Sequence, residues 1–281
     1  DFGQLVLFGV QPELFGACKT CSPPTTLGYY YASDWKKPAE RWQYHAVTRA
    51  VGFPYGGLGL LHGGGFGDIN GDGAPDLLER AGAWTNVLGP APVSGQCPGP
   101  SCAWLNTPFY DNSQTDNRGP SQMYATDLDG DGDADVVAAD WAHGEGLAWY
   151  EQRAAGTFVR HQFMGSAQEA LKYGAFFTQP HALAVADMNG DGVPDIVTGK
   201  THYANPRGSG DPDLEGLPVI YVFRTKRGVP DANGAPLSFE PILIDDQLGV
   251  GRQIAIGHLN GDGILDVCVA TKLGLAVFLG Q

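Results

Sequence analysis

Cationic side chains are scarce in this chain. Its 281 residues hold 17 Lys and Arg against 31 Asp and Glu, a formal charge of −14. Partners such as DNA, RNA or an anionic lipid surface call for basic patches, so no nucleic-acid partner is expected. No apolar run approaches the roughly 20 residues of a spanning helix, so no membrane insertion of that kind is expected either. No stretch has an amphipathic helical period. Asp1 to Val10 carries no basic n-region, so no signal peptide is expected to remain there, and a removed one stays open. A Gly-x-Ser-x-Gly elbow, a haem-type Cys-x-x-Cys-His and a phosphate loop are all missing. What the chain does have is glycine (41) and proline (20) alongside 43% apolar residues. That combination gives many turns around a sizeable core and excludes disorder from low hydrophobicity. The length allows one large all-β domain or two smaller ones.

One pattern recurs four times: Asp68-Ile-Asn-Gly-Asp-Gly-Ala-Pro-Asp76, Asp127-Leu-Asp-Gly-Asp-Gly-Asp-Ala-Asp135, Asp187-Met-Asn-Gly-Asp-Gly-Val-Pro-Asp195 and His258-Leu-Asn-Gly-Asp-Gly-Ile-Leu-Asp266. The starts are 59, 60 and 71 residues apart. A small or apolar run precedes each loop and a β-branched or leucine pair follows it, which reads as strand, tight loop, strand. Third strands follow at Gly146 to Tyr150, Val219 to Phe223 and Leu275 to Leu279, and fourth strands at Phe158 to Phe163 and Phe239 to Ile244. Four short strands per repeat predict an all-β fold, a β-propeller of four-stranded blades. A two-sheet sandwich would not place the same loop at the same junction in every unit. The predicted units of a single domain, 1–281, are 1–57 (partial), 58–118, 119–178, 179–249 and 250–281 (partial). In the first, Gln4 to Phe8, Leu27 to Tyr31 and Trp42 to Thr48 read as strands two to four. Five visible units leave two unpaired edges, which predicts cover by a further chain segment or by self-association through strand addition.

Each loop sets oxygen ligands at positions 1, 3, 5 and 9, with a backbone carbonyl at position 7. Calcium takes six to eight such oxygens. The predicted Ca²⁺ ligands are Asp68, Asn70, Asp72, the Ala74 carbonyl and Asp76 in the first loop. In the second they are Asp127, Asp129, Asp131, the Asp133 carbonyl and Asp135, and in the third Asp187, Asn189, Asp191, the Val193 carbonyl and Asp195. The fourth offers Asn260, Asp262, the Ile264 carbonyl and Asp266, but His258 stands at position 1. Imidazole is a poor calcium ligand, so that site is weaker, filled by water or empty. An EF-hand shares this opening but needs flanking helices and a Glu at position 12. That place holds Glu79, Ala138, Thr198 and Val269. Thirteen of the 31 acids lie in these loops, and four bound Ca²⁺ would reduce the net charge from −14 to −6. The acidity is therefore local.

These loops, with Phe66-Gly67-Asp68 leading into the first, resemble the FG-GAP/VCBS repeat family related to integrin α-chain heads. The resemblance spans residues 58 to 281. It implies a calcium-loop propeller, usually of seven blades, and a functional range from adhesion heads and lectins to a few sugar-acting lyases or dehydratases.

Counting six residues back from each loop gives His62, Ser121, His181 and Arg252, at the face opposite the calcium loops. The loops after the second strands, expected on the same face, bring Asp140, His143, Lys200, His202 and Trp84. Such a set suits a sugar, an anion or a metal. The plainer alternative is a wet, polar channel lining. Cys18, Cys21, Cys97 and Cys102 fall in loops and read as two disulfides, Cys18–Cys21 and Cys97–Cys102, with cross-pairing open. Cys268 reads as a buried thiol. Tyr29 to Tyr31, Trp35, Trp104 and Tyr110 are expected as a contact surface or as strand packing. The expected function is a secreted or cell-surface calcium-stabilised module binding a carbohydrate or protein ligand, with a sugar-acting lyase or dehydratase as the rival.

Overall fold

The structure, a computed structural model, describes residues 6–12, 25–31, 43–46, 64–73, 75–79, 82–86, 104–109, 120–154 and 156–281. Among these residues five antiparallel sheets follow one another along the chain. The first joins β1 (Val6–Pro12), β2 (Thr25–Tyr31) and β3 (Gln43–Ala46). The second has β4 (Gly65–Gly67), β5 (Asp76–Glu79), β6 (Gly82–Asn86) and β7 (Trp104–Thr107). The third has β8 (Met123–Thr126), β9 (Asp135–Ala139), β10 (Leu147–Ala154) and β11 (Thr157–Met164), and the fourth β12 (Leu183–Ala186), β13 (Asp195–Gly199), β14 (Ile220–Arg227) and β15 (Leu237–Asp245). The last has β16 (Ile254–Gly257), β17 (Asp266–Thr271) and β18 (Gly274–Phe278). Neighbours in sequence are neighbours in each sheet, in the strand order expected from the repeats. Among the described residues no strand pairs the first sheet with the last.

Alternation of side chains explains why the second strands are continuously apolar rather than alternating. In β9, Val136 and Ala138 face a core shared with Leu78 and Ala83 of the preceding sheet. Val137 and Ala139 face the opposite core, shared with Leu183, Ile196 and Phe223 of the following sheet. A third core joins Val197 and Val222 to Val267 and Val269. The third and fourth sheets are thus buried on both faces. A fully buried aliphatic or aromatic side chain contributes roughly 1.5–3 kcal/mol, so these interfaces carry most of the fold.

The first strands β4, β8, β12 and β16 lie side by side. Their approach is close enough to need glycine: a Cβ on Gly67 would come within 2.4 Å of the Ala125 Cβ. This gives a steric reason for the glycine of Phe66-Gly67. Among the described residues one helix, α1 (Ala170–Tyr173), follows a 3₁₀ turn entered through a Ser166/Glu169 capping box. It is a single turn, too short to show a period in the sequence.

Two side chains, one for each of the first two loops, tie the loop to the sheet that follows. Gln152, on β10, donates through Nε2 to the Ile69 carbonyl at 3.0 Å and to the Ala134 carbonyl at 3.1 Å. Arg227, ending β14, donates to the Leu128 and Asp127 carbonyls, both at 2.7 Å. Ile69 and Leu128 hold the same place, position 2, in their loops. No side chain reaches back in this way from Gly280, which takes the corresponding place after β18.

Candidate functional site

The four loops share one closing geometry. The residue before each loop pairs with the aspartate at position 9: Gly67 with Asp76, Thr126 with Asp135, Ala186 with Asp195 and Gly257 with Asp266. Glycines at positions 4 and 6 adopt left-handed backbone, as at Gly190 (φ 74°) and Gly192 (φ 84°). Nothing lies within 4 Å of a Cβ added at either, so conformation rather than space selects glycine there. This turn aims its N–H groups inward at the position-1 carboxylate. Asp68 accepts from Gly71, Asp72 and Gly73 at 2.8, 3.1 and 2.8 Å. Asp127 accepts from Gly130 and Gly132, and Asp187 from Asp191 and Gly192.

The position-9 aspartates carry a role that sequence spacing alone did not assign. All four are fully buried. One oxygen of each accepts the backbone N–H at position 2: Ile69 at 3.0 Å, Leu128 at 2.9 Å, Met188 at 3.1 Å and Leu259 at 2.7 Å. The second oxygen accepts from the third strand or just beyond it, at Gln152, Thr225 and Gly280 for Asp135, Asp195 and Asp266. These carboxylates lock the loop to the sheet before any ligand arrives. Burial pushes Asp135 up to about 7, against the lowering effect of its Gln152 and Leu128 donors. Burial also raises Asp195 and Asp129. Carboxylates held up in this way gain from a cation beside them.

Loops one to three fit calcium by donor chemistry. In the second, carboxylate oxygens of Asp127, Asp129 and Asp135 gather within 4.8 Å of one another. Ala74, in the first loop, lies outside the described residues. The fourth loop does not fit. His258 Nδ1 lies 3.0 Å from the Ile264 carbonyl, the oxygen expected to face a metal. A carbonyl can only accept, so the ring nitrogen donates and spans the loop where calcium would sit. Glu79, the one residue matching an EF-hand's position 12, instead accepts from Trp84 Nε1 at 2.8 Å. Trp84 lies on the third strand β6, not in the loop before it as the sequence had suggested.

Three segments outside the loops bring together part of the predicted polar set. His143, after β9, and His181, before β12, meet with their Nε2 atoms 3.4 Å apart. Lys200, 1% exposed, donates from Nζ to Thr178 Oγ1 at 2.6 Å and to the Asp213 carbonyl at 2.7 Å. Burial lowers its pKa, opposed by Asp213 and Asp211. His202 packs edge-on against Tyr203. Its Nδ1 is buried without a partner, and so is Ser121 Oγ. Burial, Lys272 and Lys200 lower the His202 pKa. Asp140 is instead bound to Arg160 within its own sheet and accepts from the Tyr150 hydroxyl at 3.2 Å. Arg252 is exposed and has no hydrogen bond or ion pair to this set. His62, Cys18, Cys21, Cys97, Cys102, Trp35 and Tyr110 lie outside the described residues, as do the side chains of Tyr29 to Tyr31 and Trp104. Cys268 is partly exposed rather than buried, because it points to the face of the last sheet opposite the Val267 and Val269 core.

Asp211, Asn205 and Gln179 complete the cluster and were not found from the sequence. A signal was present: the last loop-to-loop spacing is 71 residues rather than 59 or 60. The surplus lies in residues 200–219 between β13 and β14, where 140–146 suffice between β9 and β10. The three described non-glycine residues with left-handed backbone, Gln179 (φ 59°), Tyr203 (φ 49°) and Asp213 (φ 49°), all belong here. Each such conformation costs of order 1–3 kcal/mol and persists where the surroundings over-determine it.

Residues 116–198, spanning the second and third loops, match the FG-GAP-like repeat family. Human integrin alpha-IIb is 38% identical over 111 residues, which is 36% of this chain and 10% of the integrin. Mouse integrin alpha-IIb is 35% identical over 111 residues, with the same coverage. The chain thus matches about a tenth of the length of these relatives. No helix among the described residues is long and apolar enough to cross a membrane. The matched repeat and the loop geometry agree: this chain carries an integrin-like FG-GAP repeat.

Proposed function

We propose that the chain is a calcium-stabilised β-propeller that serves outside the cell as a ligand-binding or adhesion module. The observation that carries this is the repeated loop, with the same closing pair in all four copies and with the second and third copies inside the matched FG-GAP-like repeat. When bound, Ca²⁺ neutralises the clustered carboxylates of the first three loops. The protein's own residues do the rest: position-9 aspartates anchor each loop, and glycines turn its N–H groups inward. The His258 closure favours three calcium ions over four. A protein ligand fits the integrin-type repeat best, with carbohydrate as the second ligand class. Leu275, Val277 and Leu279 are exposed on one face along or beside β18, where a further sheet packed against them would continue the stack. That sheet comes from this polypeptide or from a second copy.

Calorimetric titration of the chelated chain with Ca²⁺, followed by surface binding to purified polypeptide and polysaccharide panels with calcium or chelator, tests the proposal. Calcium-dependent, saturable binding is expected. A chain that takes up no calcium, or binds no member of either panel, argues against it. Turnover of a polysaccharide or anhydro-sugar, lost in His181→Ala, would favour a lyase or dehydratase.

A further inference from the structure

We propose that Asn260 is a self-modifying site, which cyclises onto Gly261 and deamidates without an enzyme, ahead of the other Asn-Gly steps of the chain. The sequence has four such steps: Asn70-Gly71, Asn189-Gly190, Asn233-Gly234 and Asn260-Gly261. In this reaction the glycine amide nitrogen loses its proton to solvent and attacks the asparagine Cγ. The Cγ–Nδ2 bond breaks, Nδ2 takes up a proton, and ammonia leaves. Water then opens the cyclic imide at either carbonyl, giving aspartate or isoaspartate. Amide and water have become acid and ammonia, and no oxidant or reductant takes part. Glycine suits the step because no Cβ shields its nitrogen.

Three of the four steps occupy positions 3 and 4 of a loop, where the electrophile is prepared alike. The N–H of Asp72, Asp191 and Asp262 donates to the Oδ1 of Asn70, Asn189 and Asn260 at 3.0, 2.9 and 3.0 Å. That oxygen gains charge during the attack, so the donor favours the reaction. The nucleophiles differ. Gly71 N–H is held by Asp68 Oδ1 at 2.8 Å, and this bond has to open before the nitrogen can react. In the fourth loop His258 stands in the place of Asp68, and its Nδ1 donates to the Ile264 carbonyl. Among the described residues nothing accepts from the N–H of Gly261, which is exposed. Gly190 N–H has no acceptor there either, since Asp187 accepts from Asp191 and Gly192. Asn189, however, is a ligand in the proposed third calcium site, and calcium would hold its Oδ1. The step at Asn233 is braced from outside: Gly234 N–H donates to the Asp231 carbonyl at 3.1 Å, and Asn233 Oδ1 accepts from Lys172 Nζ at 2.5 Å. Asn260 alone combines an unbonded nucleophile with a carboxamide that neither calcium nor another segment holds. The contrast with Asn189 rests on the proposed calcium binding, whereas the contrast with Asn70 does not.

The product alters the loop. Asn260 Nδ2 donates to Asp262 Oδ2 at 2.7 Å, and a carboxylate in its place sets like charges side by side. Isoaspartate also lengthens the main chain by one carbon. Both changes loosen the loop that presents the exposed Leu259 and Ile264. The fourth loop thus carries a one-way mark of the protein's age, and loss of calcium adds the third.

The test is incubation of the full chain in mildly alkaline buffer, with calcium or chelator, followed by peptide mass spectrometry that separates aspartate from isoaspartate. In chelator Asn260 should convert about tenfold faster than Asn70, the factor expected for opening a hydrogen bond to a charged acceptor. In calcium the Asn260 rate should hold while the Asn189 rate falls. His258→Asp returns a carboxylate acceptor to Gly261 and should slow Asn260 about tenfold. Circular dichroism shows whether this variant folds, and if it does not, the comparison of Asn260 with Asn70 in the wild-type chain decides. Equal rates at Asn70 and Asn260 in chelator, a first product at Asn233, or an unchanged rate in folded His258→Asp would each overturn the proposal. An Asn189 rate indifferent to calcium would count against the third calcium site, while an excess of Asn260 over Asn70 would still support the modification.

Discussion

Replacing Asp195 by Ala separates the anchoring role of position 9 from metal ligation. Asp195 is fully buried and accepts two backbone N–H groups, from Met188 at 3.1 Å and Thr225 at 2.9 Å. Alanine would orphan both, at about 1–3 kcal/mol each. The buried charge has its own cost, as its raised pKa shows, and removing it offsets part of that loss. We expect a net destabilisation of about 2–4 kcal/mol that persists in chelator, because the anchoring hydrogen bonds need no metal. At a urea m-value of about 2–3 kcal/mol/M, the midpoint should fall by roughly 1–2 M. Asp191→Ala is the control. Asp191 is exposed at position 5, so without calcium its loss should cost within about 0.5 kcal/mol, while with calcium it should remove one site. Equilibrium urea unfolding of both variants, with and without calcium, decides the matter. If Asp195→Ala were harmless in chelator, or Asp191→Ala equally damaging there, the anchoring account would be wrong.

Chelation of the wild-type chain should lower its melting temperature, since each site held at 100 times its dissociation constant contributes about 2.7 kcal/mol to the native state alone. A melt insensitive to chelator in scanning calorimetry would contradict calcium binding. His258→Asp should raise the calorimetric calcium stoichiometry from three to four, whereas His258→Ala should leave it at three. Four sites in the wild-type chain would refute the His258 closure. Arg227→Ala removes two donors to loop-two carbonyls and should weaken that loop's calcium affinity while leaving Asp187 to Asp195 unaffected, as read by site-resolved NMR titration.

The repeat, the strand order and the loop residues were legible in the sequence because each rests on local chemistry. Asn-Gly-Asp-Gly turns need glycine for their backbone, and Val136-Val137 or Ile196-Val197 announce strands buried on both faces. Roles that depend on partners distant in sequence were not legible. That Asp135 accepts from Gln152, or that Arg227 reaches back to Leu128, depends on how neighbouring sheets face one another. Counting back six residues found His181 because the first strands are equivalent. It also selected Arg252, which is exposed, since equivalence of position does not fix which side chains meet. Asp211 and Asn205 stayed hidden in a segment outside the repeat.

The clasps at Gln152 and Arg227 set an order on the growing chain. The donor for the first loop lies 83 residues after Ile69, and the donor for the second lies 99 residues after Leu128. During synthesis each loop therefore emerges well before the side chain that fastens it, and it stays only partly secured until the next sheet has formed. Stability in a stack of this kind is shared between neighbours, in the manner of a one-dimensional lattice with nearest-neighbour coupling. Cutting the chain after one sheet would strip the clasp from the unit before it, so a cut costs more than the sheet it removes.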